Sequence, residues 1–253
     1  MANTPQEYVA NTYNPRAHSY VSSQVHASGP DLEQIKHLLS NQQNASVLDL
    51  GCGGGHVSYN VASLVKSVIA CDVSQKMLDA VQQTAKEKSL FNITTQNAPA
   101  ESLPFADQQF DWVISRFSSH HWHNLAQGIY EIQRVLKPTG TVVIIDTISS
   151  LDKTTDSFLQ TIELLRDHSH VRNYNLSEYT NLFSIYGLKL TNITQRDLDL
   201  EFDSWIARTK PSEICIQAII ELQTKAPAHV KVDLKFKEDH SFSLPTATFI
   251  LRK

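Results

Sequence analysis

Short apolar runs alternate with helical periodicities along the first 150 or so residues. Val47-Leu48-Asp49-Leu50 reads as a buried strand, and four glycines (Gly51, Gly53, Gly54, Gly55) fill four of the next five positions. Without a Cβ these glycines let the backbone adopt positive φ and approach a ligand closely. Val57, Val61, Leu64 and Val65 then recur at helical spacing, so the turn opens a helix. Ser67–Asp72 is a second apolar run, followed by Ser74 as a helix cap and by Met77, Leu78, Ala80 and Val81. Residues 92–96 and Phe110–Ser115 continue the series, the latter almost wholly apolar, as a central parallel strand should be. Ile129, Ile132, Val135 and Leu136 mark a further helix, which Lys137-Pro138-Thr139-Gly140 turns into the run Thr141–Asp146. Ahead of the first strand, Gly29-Pro30-Asp31 punctuates the chain before a helix carrying Leu32, Ile35, Leu38 and Leu39. Strands alternating with helices predict βαβ units and a parallel sheet.

Past Asp146 the rhythm breaks. Phe158, Ile162 and Leu165 predict a helix within residues 150–176, the segment expected to form a lid. A helix over about 177–186, a strand from near Leu188, a helical stretch over 203–226 and an alternating strand over 242–251 follow. Residues 1–28 are polar with spaced tyrosines, a tail or a flap; residues 29–253 are expected to form a single domain.

Composition narrows the class. With 253 residues of which 41% are hydrophobic, the chain can bury a continuous core. A formal net charge of −4 supplies no global field toward nucleic acid or an anionic membrane. The three cysteines, Cys52, Cys71 and Cys215, show no CxxC spacing and read as buried thiols of a reducing compartment. With neither an apolar leader nor a membrane-length apolar stretch, the expected location is the cytoplasm, without membrane insertion.

The glycine turn decides which nucleotide is expected. No Gly-Lys-Ser/Thr ending follows it, which argues against a phosphate-binding P-loop. His56 stands where a dinucleotide fingerprint needs its third glycine. The remaining pattern is Asp49-x-Gly51-x-Gly53-x-Gly55, and a carboxylate there suits a ligand with positive charge and no phosphate. S-adenosylmethionine, with its ammonium and sulfonium groups, is such a ligand. Asp72 ends the second strand about twenty residues beyond Asp49, where an acidic side chain can accept ribose hydroxyls. Val73 and Met77 follow it, and Ser115, Arg116 and Phe117 end the fourth strand at the crevice.

The run Val-Leu-Asp-Leu-Gly-Cys-Gly-Gly-Gly resembles motif I of the class I S-adenosylmethionine-dependent methyltransferases. Ala100–Phe105, Phe110–Ser115 and Leu136–Gly140 resemble later motifs of that family in the expected order, and the branch is similar to the ubiquinone/menaquinone-biosynthesis C-methyltransferases. The resemblance covers roughly residues 45–150. It implies a Rossmann-like doubly wound seven-stranded α/β sheet, mostly parallel with an antiparallel C-terminal strand, plus a helical lid. It also implies a small-molecule acceptor, an aromatic such as Tyr20 against the cofactor, and adenine recognition at Ala100 and Glu101. Relatives usually carry Asp where Pro99 stands here.

Methyl transfer from a sulfonium needs alignment and exclusion of water, and a base only where the acceptor must lose a proton. Ser118-Ser119-His120-His121-Trp122-His123 offers that base, His121 or His120; histidines that merely pack the loop explain the same residues equally well. The histidines lack catalytic zinc spacing, so no metal is expected. In the lid, His170, Arg172 and Tyr174 alternate, so an extended segment would present all three to a substrate, as would a solvated surface. Two other readings stay open: an RNA or protein methyltransferase, and a non-catalytic binder of adenosyl ligands.

Overall fold

The structure, a computed structural model, describes residues 4–14 and 28–253. Seven strands form one sheet in the order β3-β2-β1-β4-β5-β7-β6. They are β1 (Ser46–Leu50), β2 (Ser67–Asp72), β3 (Ile93–Asn97), β4 (Phe110–Arg116), β5 (Leu136–Thr147), β6 (Lys189–Leu200) and β7 (Phe242–Arg252). The first five pair in parallel, and β7 runs antiparallel to both β5 and β6. The predicted turn at residues 137–140 is absorbed into a long β5, with a register shift between Phe110 and Trp112 on its neighbour.

The described helices, in chain order, are α1 (Pro5–Tyr13), α2 (Pro30–Leu39), α3 (His56–Val61), α4 (Gln75–Glu87), α5 (Leu125–Val135), α6 (Lys153–Arg166), α7 (Leu176–Ile185), α8 (Phe202–Thr209), α9 (Glu213–Lys225) and α10 (Ala228–Asp233). The helical stretch expected over 203–226 is two helices, because Lys210 adopts a left-handed φ of 49° and Pro211 follows it. None of the described helices is long and apolar enough to cross a membrane.

Because successive strand residues face opposite sides, the sheet separates two cores. Val47, Val68, Ala70, Trp112, Ile114, Val143 and Ile145 pack against α2, α3 and α4. Leu48, Leu50, Val113, Val142 and Ile144 pack on the other face with α5 and α7. A third cluster joins Leu159 and Ile162 of α6, Trp205 of α8, Ile219 of α9 and Val230 of α10 to Leu200, Phe242 and Leu244. The register explains where that cluster hangs. Pairing of β5 with β7 stops at Thr147 and Thr246, whereas β6 and β7 pair on to Leu200 and Phe242. The two-stranded overhang thus carries a helical layer past the C-terminal ends of the parallel strands, where α/β folds bind ligands.

Candidate active site

A cavity of about 370 Å³ opens at this end of the sheet, within the size range of small-molecule sites. It lies at the switch point, where β1 is flanked by β2 on one side and β4 on the other, and it extends under the helical layer. Gly51, Gly53, Asp72, Val73, Met77, Ala100, Glu101, Arg116 and Phe117 border it on the β1–β4 side.

The glycine turn is built for closeness. Gly51 has a φ of +69°, and a Cβ there would lie 1.8 Å from Ser118 Oγ, so the loops after β1 and β4 touch through it. Gly53 has a φ of +47° and faces open space, which leaves its backbone bare toward the cavity. Its N–H donates to Asp72 Oδ2 at 2.9 Å, and Ser74 N–H donates to Asp72 Oδ1 at 2.9 Å. Burial pushes the Asp72 carboxyl up in pKa, against backbone hydrogen bonds from Ser74, Gly53 and Val73. Two carboxylate oxygens with one backbone donor each keep lone pairs for ligand hydroxyls, and Met77, Ala98 and Ala100 supply apolar wall. This donor set suits an adenosyl group: a carboxylate for the ribose, apolar walls for the base, and a bare glycine backbone beside them. Phe117 holds a φ of +51°, unusual for a bulky residue, with its N–H bonded to the Ile145 carbonyl at 2.7 Å. Arg116 donates to Asp31 of α2 at 2.5 Å, so its charge is met inside the protein.

Several expected residues stand elsewhere. Asp49 does not border the cavity. It shares the sheet face of Val47, toward α3, where its Oδ2 accepts from Ser58 N–H at 3.0 Å and Ser58 Oγ at 2.6 Å. Burial raises its pKa to about 6 against those bonds. It braces the helix that follows the glycine turn. Gly55 is the left-handed residue before α3, and its Cβ position is crowded by Tyr59. Ser115 shares the opposite face with Val113 and is buried there. Arg172 pairs with Asp156 at 2.9 Å and Glu178 at 3.5 Å, while Tyr174 packs edge-on against Tyr179; neither borders the cavity. The segment is not regularly extended, and of the three lid residues only His170 borders the cavity. Tyr20 lies outside the described residues.

The histidine loop separates its two candidates. His120 Nδ1 donates to Asp146 Oδ1 at 2.6 Å. Asp146 is fully buried and also accepts from Ser119 Oγ at 2.5 Å, Thr147 N–H at 2.8 Å and His120 N–H at 3.2 Å. Burial opposes charge on both groups, yet their mutual attraction and hydrogen bond win: the pKa of His120 is raised above 6.5 and that of Asp146 lowered below 3.8. With Nδ1 anchored, Nε2 is left without a partner among the described residues of the cavity wall. His121 is differently placed. Its Nδ1 lies 3.1 Å from the Ser169 carbonyl and its Nε2 lies 2.9 Å from the Tyr13 hydroxyl, which itself donates to Asp167 at 2.6 Å. Burial, then the charge of neighbouring His120, push its pKa down to about 4. Both ring nitrogens lie against protein oxygens, and the neutral ring, with one N–H, donates to only one of them.

Asp146, Tyr13 and Asp167 were missed as site residues in the sequence. An acidic residue ending an apolar central strand was the available signal for Asp146; nothing local announced that Tyr13 of α1 would meet Asp167. Among the described residues, no group of three or more His, Cys, Asp or Glu side chains is arranged to hold a metal ion.

Residues 48–144 match the methyltransferase-domain family. The chain is 42% identical over 193 residues to the uncharacterized protein YafE of Escherichia coli, covering 76% of this chain and 93% of that protein. It is 33% identical to the uncharacterized methyltransferase YcgJ of Bacillus subtilis, covering 78% of each. The crystal structure of the YcgJ protein superposes with a TM-score of 0.85 at 29% identity, covering 88% of this chain and 98% of that one. With motif I folded into the turn between β1 and α3, and with Asp72 at the end of β2, the chain belongs to the class I S-adenosylmethionine-dependent methyltransferases.

Proposed function

We propose that the protein methylates a small molecule at a hydroxyl, or at a carbon activated by one, and that His120 removes the proton. The observation that carries this reading is the Asp146–His120 pair, whose 2.6 Å contact leaves the imidazole Nε2 at the cavity wall without a partner among the described residues. When bound, S-adenosylmethionine supplies an electrophilic methyl group on a positively charged sulfur that leaves as a neutral thioether.

The protein's own residues do the rest. Asp72, Gly53, Met77 and Ala100 would hold the adenosyl group on the β1–β2 side. His120 Nε2 accepts the acceptor's proton, and Asp146 stabilises the resulting imidazolium through Nδ1–H. Trp122, 6% exposed, donates its indole N–H to Ser118 Oγ at 3.1 Å and walls the cavity beside the histidines. Enclosure by α1 and the helical layer favours an acceptor small enough to be surrounded, rather than a surface polymer. Demethylmenaquinone methyltransferase of Listeria monocytogenes shares 31% identity over 144 residues, 56% of this chain, which supports a small-molecule acceptor.

The test combines binding with turnover. S-adenosylhomocysteine should bind by calorimetry, NAD should not, and a panel of phenols and enols should release S-adenosylhomocysteine in the wild type. His120→Ala should abolish release while His121→Ala retains it; the reverse ranking would overturn the assignment of the base.

A further inference from the structure

The cavity holds a second imidazole whose lone pair the reading above does not use. Gln160 of α6 fixes its state. Gln160 Nε2 donates to the Asn173 carbonyl at 2.7 Å and to Asp156 Oδ1 at 2.7 Å, while its Oε1 accepts Asn173 N–H at 2.9 Å. Reversing the amide would set N–H against N–H, so Oε1 is the atom that faces His170 Nε2 at 2.9 Å. His170 Nε2 therefore carries the proton. Burial, then the charges of His120 and His121, press the pKa of this ring down to about 3, so it is neutral and its Nδ1 is a lone pair. His170 is 6% exposed, and Nδ1 has no hydrogen-bond partner among the described residues. Native proteins rarely leave a buried acceptor unpaired without a functional reason or a bound molecule.

Two features tie this atom to the acceptor. Val171 and Arg172 both donate their N–H groups to the His120 carbonyl, at 2.9 and 3.1 Å, which fixes the two rings with centroids 5.8 Å apart. His120 and His170 both border the cavity. Asn173, 2% exposed, also borders the cavity, and the buried Nδ2 of its side-chain amide has no partner among the described residues. The His170 lone pair takes a hydrogen bond from a hydroxyl and none from a carboxylate. The apolar side chains of Leu200, Trp205 and Leu244 border the same cavity and suit a ring or hydrocarbon frame.

We infer that His170 determines specificity by accepting a hydrogen bond from a second hydroxyl of the acceptor. The substrate class is then an apolar, ring-bearing molecule with two hydroxyls, one deprotonated at His120 and one held at His170. This rests on the assignment of His120 as the base.

Matched aryl acceptors differing by one hydroxyl, such as catechol and phenol, test it through S-adenosylhomocysteine release. The wild type should favour the dihydroxy member by at least about tenfold in kcat/KM, since a site built for a hydroxyl discriminates against its loss. His170→Gln, which mimics Nε2 but removes the acceptor at the Nδ1 position, should bring that ratio close to one; His170→Asn, which places an amide near the Nδ1 position, should retain part of it. Nitrogen-15 spectra of histidine-labelled wild-type protein give a readout that needs no variant: the Nδ1 resonance of His170 should shift with catechol and stay in place with phenol. Equal turnover of both members, or a ratio untouched by His170→Gln, would overturn the inference alone. Failure of every hydroxyaryl acceptor, with S-adenosylhomocysteine still bound, would instead overturn the reading of His120 and take the inference with it.

Discussion

His120 and Asp146 stand 2.6 Å apart, Nδ1 to Oδ1, and that contact decides which nitrogen of the ring meets the cavity. Strand alternation makes it possible. Asp146 shares its face with Val142 and Ile144, toward α5 and α7, beside the loop that follows β4. A base must be neutral to accept a proton, so turnover should rise with pH through the raised pKa of His120 and fall away below it. Asp146→Asn removes the charge that raises this value, so the rising limb should move to lower pH while kcat drops. His120→Gln should lower kcat by about 10²–10⁴-fold. A pH profile of S-adenosylhomocysteine release checks both, and an unmoved limb in Asp146→Asn would sink the pairing argument.

Asp72 joins the turn after β1 to the start of α4 through Gly53 N–H and Ser74 N–H. Asp72→Ala should weaken S-adenosylhomocysteine binding by about 1–3 kcal/mol, the scale of a lost buried hydrogen bond to a charged group. Calorimetry of variant and wild type decides it. Unchanged affinity in a folded variant would remove Asp72 from the ligand site.

Gly51 makes a sharper steric case. A Cβ on it would meet Ser118 Oγ at 1.8 Å and Ser118 Cβ at 2.5 Å, and its φ of +69° disfavours any side chain. Gly51→Ala should therefore lose cofactor binding and lower Tm. Adding Ser118→Gly removes the clash but not the backbone penalty of roughly 1–2 kcal/mol, so the double variant should regain part of the stability. A double variant no better than Gly51→Ala would show that the contact with Ser118 does not carry the effect.

The parts of the molecule legible in the sequence were those governed by local periodicity and by one dense motif. Short apolar runs and helices with 3.6-residue spacing placed the sheet and the glycine turn, and the end of β2 placed Asp72. Side-chain direction was another matter. Asp49 reads as a ligand carboxylate until the sheet face of Val47 turns it toward Ser58. Arg172 reads as an anion grip until Asp156 and Glu178 claim it. The choice between His120 and His121 depended on Asp146 and Tyr13, respectively 26 and 108 residues away in the chain. Such long-range partners leave no local signature.

Tyr13 supplies a further test because it joins α1 to the site. Its hydroxyl donates to Asp167 at 2.6 Å, while Asn14 accepts from Ser74 Oγ at 2.7 Å, so the C-terminal end of α1 is tied to the end of α6 and to the start of α4. Tyr13→Phe keeps the edge-on packing against His121 but removes the hydroxyl. Amide exchange in α1 should accelerate while the sheet keeps its protection. Equal exchange rates in α1 would show that this hydroxyl does not hold the helix down.

His121 gives the protein an acid-sensitive element whose sign follows from its environment. Its pKa is about 4 in the folded protein against 6.5 for the free side chain, because burial and the charge of His120 disfavour protonation. Between those values the unfolded chain binds the proton and the folded one does not, so acidification favours unfolding. The contribution is intact above pH 6.5, is lost as pH falls toward about 4, and amounts to at most about 3 kcal/mol. A non-titrating variant such as His121→Asn starts less stable at neutral pH, having lost the contacts to Ser169 and Tyr13. It should then lose less on acidification, so the gap to the wild type narrows between pH 7 and pH 5. Urea melts of both proteins at the two pH values measure that gap, and a constant gap would mean that His121 does not titrate differently on folding.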